Sequence, residues 1–192
     1  MSNYLSMKFR YNEWLREFFY LFKPFFDDNI NASYTLFNLF LLIPFLRIWI
    51  FRLKVSRTGK NLKLKYPVYV QNGRNISLGD NATFGSGCHI QAGRKSVIKI
   101  GNNLTCGPGA MIFAASHGSR KGELIKYQDL VEKDIVMGDD VFLGAGSVVL
   151  EGTTLADGTL VGANSVVGPN FKNEPFEILQ GVPAKLKRKR KA

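Results

Sequence analysis

The sequence is poor in residues that form covalent or metal cross-links. Its 192 residues include two cysteines, Cys88 and Cys106, and two histidines, His89 and His117. This number of cysteines excludes a disulfide-rich scaffold, and no cysteine pair has the spacing of a zinc site. We expect both cysteines to be buried as small hydrophobic side chains, which fits a reducing, cytoplasmic compartment.

Long hydrophobic runs are also absent. Residues 29–46 carry no charge, which is about the minimum span for a bilayer, but Asn31, Ser33 and Asn38 interrupt the stretch. The N-terminus carries acidic residues and no small-residue cleavage pattern, so we expect no signal peptide. A spanning helix is therefore disfavoured. Two alternatives stay open for this segment: a helix in the membrane interface, or one that packs on the protein or on a neighbouring subunit.

Acidic residues are few relative to basic ones. There are 26 Lys and Arg against 15 Asp and Glu, a net charge of +11. The last eight positions hold six of these basic residues: Lys185, Lys187, Arg188, Lys189, Arg190 and Lys191. Such a tail is either simply solvated, or it contacts phosphate groups of a ligand, or it attracts an anionic membrane. Nucleic acid is not expected as a partner, because no recognition-helix pattern is present.

Residues 1–57 differ from the rest and are predicted to be a helical, membrane-associating or packing extension. Trp14, Phe18 and Phe22 share one helical face, which ends at Pro24. Ser33 is a plausible N-cap for a second helix through Phe51, with a kink at Pro44. No glycine-rich nucleotide-binding motif occurs in this segment.

A period of six residues dominates residues 58–192. From Met137 to Gly168 an apolar residue opens each unit, and a small or β-branched residue takes the fifth place. Further hexads occupy residues 78–95 and 100–117, with residues 96–99 inserted between them, and Gly is second in eight of twelve units. Neither a strand nor a helix has this period, whereas a β-solenoid does.

The hexads predict a three-faced coil with 18 residues per turn. First-place and fifth-place residues point inward, and glycine relieves the backbone where the coil turns a corner. Four turns are visible, and a polar excursion at residues 118–134 interrupts them. The N-terminal helices and the tail after Phe171 are expected to cap the open ends of the coil.

Three features together resemble the hexapeptide-repeat acyltransferases: the hexads, the excursion after Ser116-His117-Gly118, and the ending Gly181-Val182-Pro183-Ala184-Lys185. The resemblance is closer to the sugar O-acetyltransferases that modify bacterial surface polysaccharides. It implies an all-β fold, a left-handed parallel β-helix with an N-terminal helical extension and a C-terminal cap. It also implies a homotrimer, acetyl-coenzyme A as the acyl donor, no metal, and an active site in the cleft between subunits.

By this resemblance His117 is the catalytic base. A neutral imidazole, with an ordinary pKa of about 6.5, can remove the proton of a sugar hydroxyl as that hydroxyl attacks a thioester. We expect His89, also outward-facing but one face away, to be structural or to line the acceptor site. The β-helix carbonic anhydrases need three histidines for a metal, so two histidines disfavour that rival interpretation.

The resemblance also assigns a cofactor groove. Small residues would let the pantetheine arm approach the backbone, and basic residues would meet the nucleotide phosphates. The residues that match are Phe142, Gly144, Ala145, Gly162, Ala163, Lys185 and Arg188.

Two departures from the family pattern limit the assignment. Val167-Gly168-Pro169-Asn170 lacks the lysine common in relatives, and Lys172 is the nearest substitute. Gly85-Ser86-Gly87 stands where enzymes of small free sugars carry an asparagine.

We therefore expect an O-acetyltransferase acting on a surface polysaccharide or its lipid-linked precursor. The alternatives are an N-acetyltransferase of a nucleotide-linked amino sugar and a non-catalytic trimeric scaffold.

Overall fold

Short parallel strands wind into a three-faced coil. The computed structural model describes residues 44–191 of the chain. The chain returns to the same face once per turn, and each strand pairs in parallel with the strands above and below it. The predicted left-handed parallel β-helix is confirmed.

The strands form three stacks, which we call faces A, B and C. Face A consists of β3 (Ile76–Leu78), β6 (Ile98–Ile100), β11 (Ile135–Met137) and β14 (Thr154–Leu155). Face B consists of β1 (Lys63–Leu64), β4 (Thr83–Phe84), β7 (Thr105–Cys106), β12 (Phe142–Leu143), β15 (Leu160–Val161), β17 (Glu177–Gly181) and the antiparallel β18 (Ala184–Lys189). Face C consists of β2 (Val68–Gln71), β5 (Cys88–Gln91), β8 (Met111–Phe113), β13 (Val148–Val149) and β16 (Val166–Val167).

The core is a set of side-chain columns that the hexad pattern produces. On face B, the first-place residues Phe84, Cys106, Leu143, Val161 and Leu179 stack in register and are buried. Fifth-place residues are buried as well, Ser147 and Thr153 among them. The prediction that first and fifth places point inward is confirmed, and successive coils bury one continuous column.

The coil makes about five turns, one more than the four counted from the hexads. The additional turn is the first one, in which β1 and β2 pair with β4 and β5 although their sequence is irregular. The placement of the insertion at residues 96–99 was wrong. Ile98 and Lys99 belong to β6, so the additional residues lie in the bend between Gln91 and Ile98.

The N-terminal end of the coil is covered by helix α1, whose described residues are Pro44–Lys54. Phe51 and Val55 are buried in the core, and the Phe51 ring lies 6.0 Å from that of Phe84. The helix was predicted to end at Phe51, but it continues for three more residues to Lys54. Burial of Phe51 and Val55 in the core stabilises this last turn. The unit that contains the coil begins at Ile48.

The predicted Ser33 cap and Pro24 stop lie outside the described residues, and so does the chain before Pro44 that a kink at this proline would involve. Within residues 44–191, no helix has the length and apolar character needed to cross a bilayer.

The C-terminal end is closed by the β17–β18 hairpin. After β18 the chain returns to the coil, where the Arg190 guanidinium donates to the Asp140 carboxylate at 2.7 Å and to the Gly158 carbonyl at 3.1 Å. The basic tail is therefore attached to the coil at least as far as Arg190.

Candidate active site

His117 lies on a hairpin that leaves the coil between faces C and A. The hairpin pairs β9 (Ala115–His117) with β10 (Leu130–Glu132) in antiparallel register, and His117 is opposite Leu130. The excursion therefore begins three residues earlier than the sequence pattern indicates. His117 is exposed to solvent, so its imidazole is accessible to a substrate.

The hairpin is attached to the coil above it through Glu132. One carboxylate oxygen of Glu132 accepts hydrogen bonds from the backbone N–H of Lys95 at 2.6 Å and of Ser96 at 3.2 Å. These backbone donors, Lys95 first, lower the pKa of Glu132. The bend before β6 and the hairpin thus hold each other in place.

The tip of the excursion folds around Gln128. Its amide nitrogen donates to the carbonyls of Arg120 and Glu123, and its amide oxygen accepts from the backbone N–H of Arg120. A 3₁₀ turn at Ile125–Tyr127 precedes this residue. Gln128 is buried in an otherwise exposed segment, which explains how a polar loop keeps a defined shape.

The hairpin is attached to the coil below it through Ser116. Its hydroxyl lies 2.9 Å from Oε1 of Glu151, a residue that is 7% exposed. Oε2 of Glu151 is buried and makes no hydrogen bond among the described residues. Ser116, the residue before His117, is therefore held by a buried side chain at the corner of the coil beneath the hairpin.

The predicted cofactor residues lie along one edge of face B. Strand register aligns Phe142 with Leu160, Ile178 and Arg188. The adjacent row begins at Gly144, which is buried, and continues through Gly162 and Gln180 to Lys185. Ala145 and Ala163 are exposed at the adjoining corner. Neighbouring strands are about 4.8 Å apart, so the row from β12 to β18 extends about 14 Å. We call this surface the B–C edge.

Gly144 and Gly162, the two glycines of the B–C edge, differ in whether the stacking of the turns requires a glycine. A Cβ on Gly144 would meet the backbone of the next coil, so coil stacking alone explains that glycine. A Cβ on Gly162 would lie 3.2 Å from Cγ of Gln180, a flexible side chain that can move. Stacking does not force glycine at position 162, whereas a ligand arm approaching the backbone would favour it.

His117 and the B–C edge are on opposite sides of face C. The chain passes the edge at Gly144 and Ala145 and reaches the corner below the hairpin at Glu151. Strand β13 (Val148–Val149) and the turns on either side of it lie between these two corners. One chain thus carries the predicted base and the predicted cofactor groove a full face apart.

His89 lies on β5, where it is in register with Met111 on β8. Met111 in turn is one hexad before His117 in the sequence. Its ring is 5.9 Å from Tyr69 and 5.2 Å from Phe113 in an edge-on arrangement. These aromatic contacts favour the structural alternative for His89, on the outer surface of face C, over a place in the acceptor site.

Both cysteines are buried and free, as expected. The thiol of Cys88 lies 3.2 Å from the Gly107 carbonyl. A hydrogen bond with Cys88, together with burial, raises the pKa of Cys106. A buried thiol with a raised pKa is a poor nucleophile, so Cys106 does not suit covalent catalysis. The hydrogen bond with Cys106 lowers the pKa of Cys88, but Cys88 is 1% exposed and out of reach of a substrate.

The region that departs from the family pattern follows β16. Asn170 has a positive φ of 60°, and its side chain accepts a hydrogen bond from Lys133 Nζ at 2.9 Å. Lys172 is exposed and bridges to Thr154 on face A. No group of three or more His, Cys, Asp or Glu residues with metal-binding geometry occurs in residues 44–191.

Comparison with known proteins agrees with this architecture. Residues 134–169 match the bacterial transferase hexapeptide family model, which consists of six repeats. A comparison with curated protein sequences gives no match.

Among solved structures, a hexapeptide-repeat-containing acetyltransferase from Vibrio cholerae complexed with acetyl-coenzyme A has a TM-score of 0.71 and 26% identity. That similarity covers 79% of this chain and 80% of the other. A maltose O-acetyltransferase from Clostridium difficile has a TM-score of 0.66 and 24% identity, covering 93% and 88%. A galactoside acetyltransferase in complex with coenzyme A has a TM-score of 0.65 and 21% identity, covering 91% and 79%. The last two similarities support the fold alone.

The fold and repeats define a hexapeptide-repeat β-helix protein. Within that class, the predicted resemblance to the hexapeptide-repeat acyltransferases is confirmed.

Proposed function

We propose that this chain is an acetyl-coenzyme A-dependent O-acetyltransferase that modifies a sugar hydroxyl of a bacterial surface polysaccharide or its precursor. The observation that carries the proposal is the B–C edge. Strand register brings residues that are separated in sequence into two adjacent rows, one with Phe142 and Arg188 and the other with Gly144, Gly162 and Lys185. A thin chain with a polyphosphate end fits a groove with small residues along it and cations at its end.

His117 supplies the proton chemistry. The bound donor provides an activated acetyl thioester. The His117 imidazole removes the proton of the acceptor hydroxyl as its oxygen attacks the thioester carbonyl. It then returns that proton to the departing sulfur, so the acetyl ester and free thiol leave and the imidazole is neutral again. General base catalysis of this kind contributes about 10²–10⁴-fold to a rate.

We also propose a homotrimer with the active site between subunits. The supporting observation is the separation of His117 from the B–C edge by the width of face C. Within one chain the two lie at different corners of the coil, whereas His117 of one subunit and the groove of the next could meet across an interface.

Acetyl transfer and thermal shift together test the function. A ligand at a hundred times its Kd stabilises the folded protein by about 2.7 kcal/mol, so acetyl-coenzyme A should raise the melting temperature by several degrees. Purified protein with labelled acetyl-coenzyme A and an oligosaccharide panel should give a product whose acetyl group is released by mild base. No thermal shift with any acyl-coenzyme A would favour the scaffold alternative, and a base-stable amide would favour the N-acetyltransferase.

We propose that the enzyme acts at the inner face of the membrane. Residues 48–79 contain no acidic residue and seven basic ones, all exposed: Arg52, Lys54, Arg57, Lys60, Lys63, Lys65 and Arg74. Trp49 and Leu53, one helical turn apart on α1, are 57% and 66% exposed. An exposed aromatic residue among basic residues favours an anionic lipid surface.

Vesicle sedimentation tests this location. The full chain should bind phosphatidylglycerol vesicles and not phosphatidylcholine vesicles, and Trp49→Ala with Leu53→Ala should weaken the binding. Equal binding to both vesicle types, or none, would contradict the proposal.

A further inference from the structure

Glu151 places a carboxyl group at a corner where the preceding turns have alanine. It occupies the third place of the hexad Val149–Thr154, and the equivalent residues of the two turns before it, Ala92 and Ala114, are buried. Glu151 is 7% exposed, because the β9–β10 hairpin covers this corner of the coil. A carboxyl group is thus enclosed beneath the segment that carries His117, at a corner where the preceding turns have only a methyl group.

Burial of this carboxyl group is unfavourable unless its oxygens have partners. Oε1 has one, the Ser116 hydroxyl at 2.9 Å, and Oε2 has none among the described residues. A buried polar atom without a hydrogen-bond partner has lost its contact with water and gained nothing in exchange. An apolar or small residue at position 151 would avoid that cost, so the coil itself gives no reason for a glutamate here.

The contact of Glu151 with Ser116 offers a reason. Ser116 precedes His117 on β9, and its backbone pairs with Val131 across the hairpin. The opposite side of the hairpin is already held by Glu132, through the backbone of Lys95 and Ser96. Without the bond to Glu151, only the side of the hairpin away from His117 would be held by a carboxylate.

We propose that Glu151 is a positioning residue for His117. Through Ser116 it fixes the end of β9, so that the imidazole is held where the acyl group is transferred. The assignment rests on the proposed function, because it takes His117 as the base. Glu151 does not reach the substrate, since its carboxyl oxygens lie beneath the hairpin.

Steady-state kinetics of Glu151→Ala and Glu151→Gln test the proposal. Misplacement of a reacting group by about 1 Å costs up to about 10²-fold, so Glu151→Ala should lower kcat about 10- to 100-fold. KM for acetyl-coenzyme A should stay unchanged, because the B–C edge is a face away. Glu151→Gln retains an acceptor for the Ser116 hydroxyl and should keep kcat within about threefold of wild type, since the positioning bond survives. Glu174→Ala, which removes an exposed carboxylate elsewhere, is the matched control.

A double variant separates positioning from general damage. Ser116→Ala should reproduce the kcat loss of Glu151→Ala, and the two changes together should cost no more than either alone, because they remove the same bond. Additive losses, or a kcat within about twofold of wild type in Glu151→Ala, would overturn the proposal.

Amide hydrogen exchange decides the question even if no acceptor is ever acetylated. Glu151→Ala should accelerate exchange in residues 115–132 while β12 and β15 keep their protection, and Glu151→Gln should restore it. Unchanged exchange in the hairpin would overturn the positioning role. Failure of acetyl transfer by the wild-type protein would count against the proposed function instead.

Discussion

Gly144 lies so close to the backbone of Ala163 that no side chain fits at position 144. A Cβ atom built on Gly144 would lie 2.5 Å from the backbone nitrogen of Ala163 on the next coil. The glycine at this second hexad place is therefore required by the spacing between coils, which agrees with the expectation that glycine serves the corners.

Gly144→Ala should destabilise the protein by about 1–3 kcal/mol, because the coils must separate locally to admit the methyl group. Gly168→Ala is a suitable comparison, since its Cβ would meet nothing within 4 Å and its φ is not positive. The free energy of unfolding of Gly168→Ala should stay within about 0.5 kcal/mol of that of the wild type. Urea denaturation of both variants measures the difference, and equal stabilities would contradict the stacking argument.

Lys185 and Arg188 should contribute to binding of the nucleotide end of the donor. Each change to Ala should raise KM for acetyl-coenzyme A by about tenfold, the size expected for loss of a charge-assisted hydrogen bond, and leave kcat unchanged. Lys187 lies between them, next to the β17–β18 register shift, and aligns with neither row of the B–C edge. Lys187→Ala should have little effect on KM. An equal rise in KM for acetyl-coenzyme A in all three variants would contradict these specific roles and would indicate a general effect of the charged tail.

Glu132 should make the stability of the hairpin depend on pH. Its pKa in the folded state is lower than the ordinary carboxyl pKa of about 4.3, because backbone N–H groups stabilise the ionised form. The stabilising effect is complete above that ordinary value and is lost as the pH falls through the lowered folded-state pKa. Glu132→Gln should therefore melt at a lower temperature than wild type at pH 7.

The gap in melting temperature between wild type and Glu132→Gln should narrow below about pH 4. Glu174→Gln, at an exposed carboxyl, serves as the control and should leave the gap near zero throughout. A gap of equal size at pH 7 and pH 3.5 would show that the ionised carboxylate is not what attaches the hairpin to the coil.

Subunit mixing should show whether the active site is shared. His117→Ala lacks the base, and Ala163→Trp should block the groove at the exposed B–C edge. Each variant alone should be inactive, whereas co-expression should restore part of the activity, because some interfaces then combine an intact base with an intact groove. No recovery in demonstrably mixed oligomers would mean that one chain contains the whole site.

Much of the fold follows from the period of six, because the same inward places recur in every turn. Leu143 and Ser147 could be assigned to the core from their hexad places alone. The first turn could not, since its strands are recruited by pairing with β4 and β5 and not by a repeat of their own. The shift of the insertion from residues 96–99 to the bend before Ile98 has the same cause: pairing of β3 with β6 sets the register.

The parts of the candidate site that lie within the hexapeptide repeat could be predicted from the sequence. The parts that depend on the hairpins outside the repeat could not. Gly144 and Gly162 share a hexad place, so their alignment on one edge could be anticipated. The alignment of Ile178 with Arg188 depends on an irregular antiparallel pair that no period indicates. The contact of Glu151 with Ser116 joins residues that are 35 apart in sequence, and no period of six indicates it. A charged residue at a third place facing the start of an excursion is the signal that could have identified it.

Mass spectrometry of surface glycans tests the central claim most directly. Glycans from cells that lack this protein should have lost an acetyl increment, and expression of the wild-type chain should restore it. Expression of His117→Ala at the same level should not restore it, whereas His89→Ala should, because the His89 ring packs against Tyr69 and Phe113 and is not the proposed base. Full restoration of the acetyl increment by His117→Ala would contradict the account.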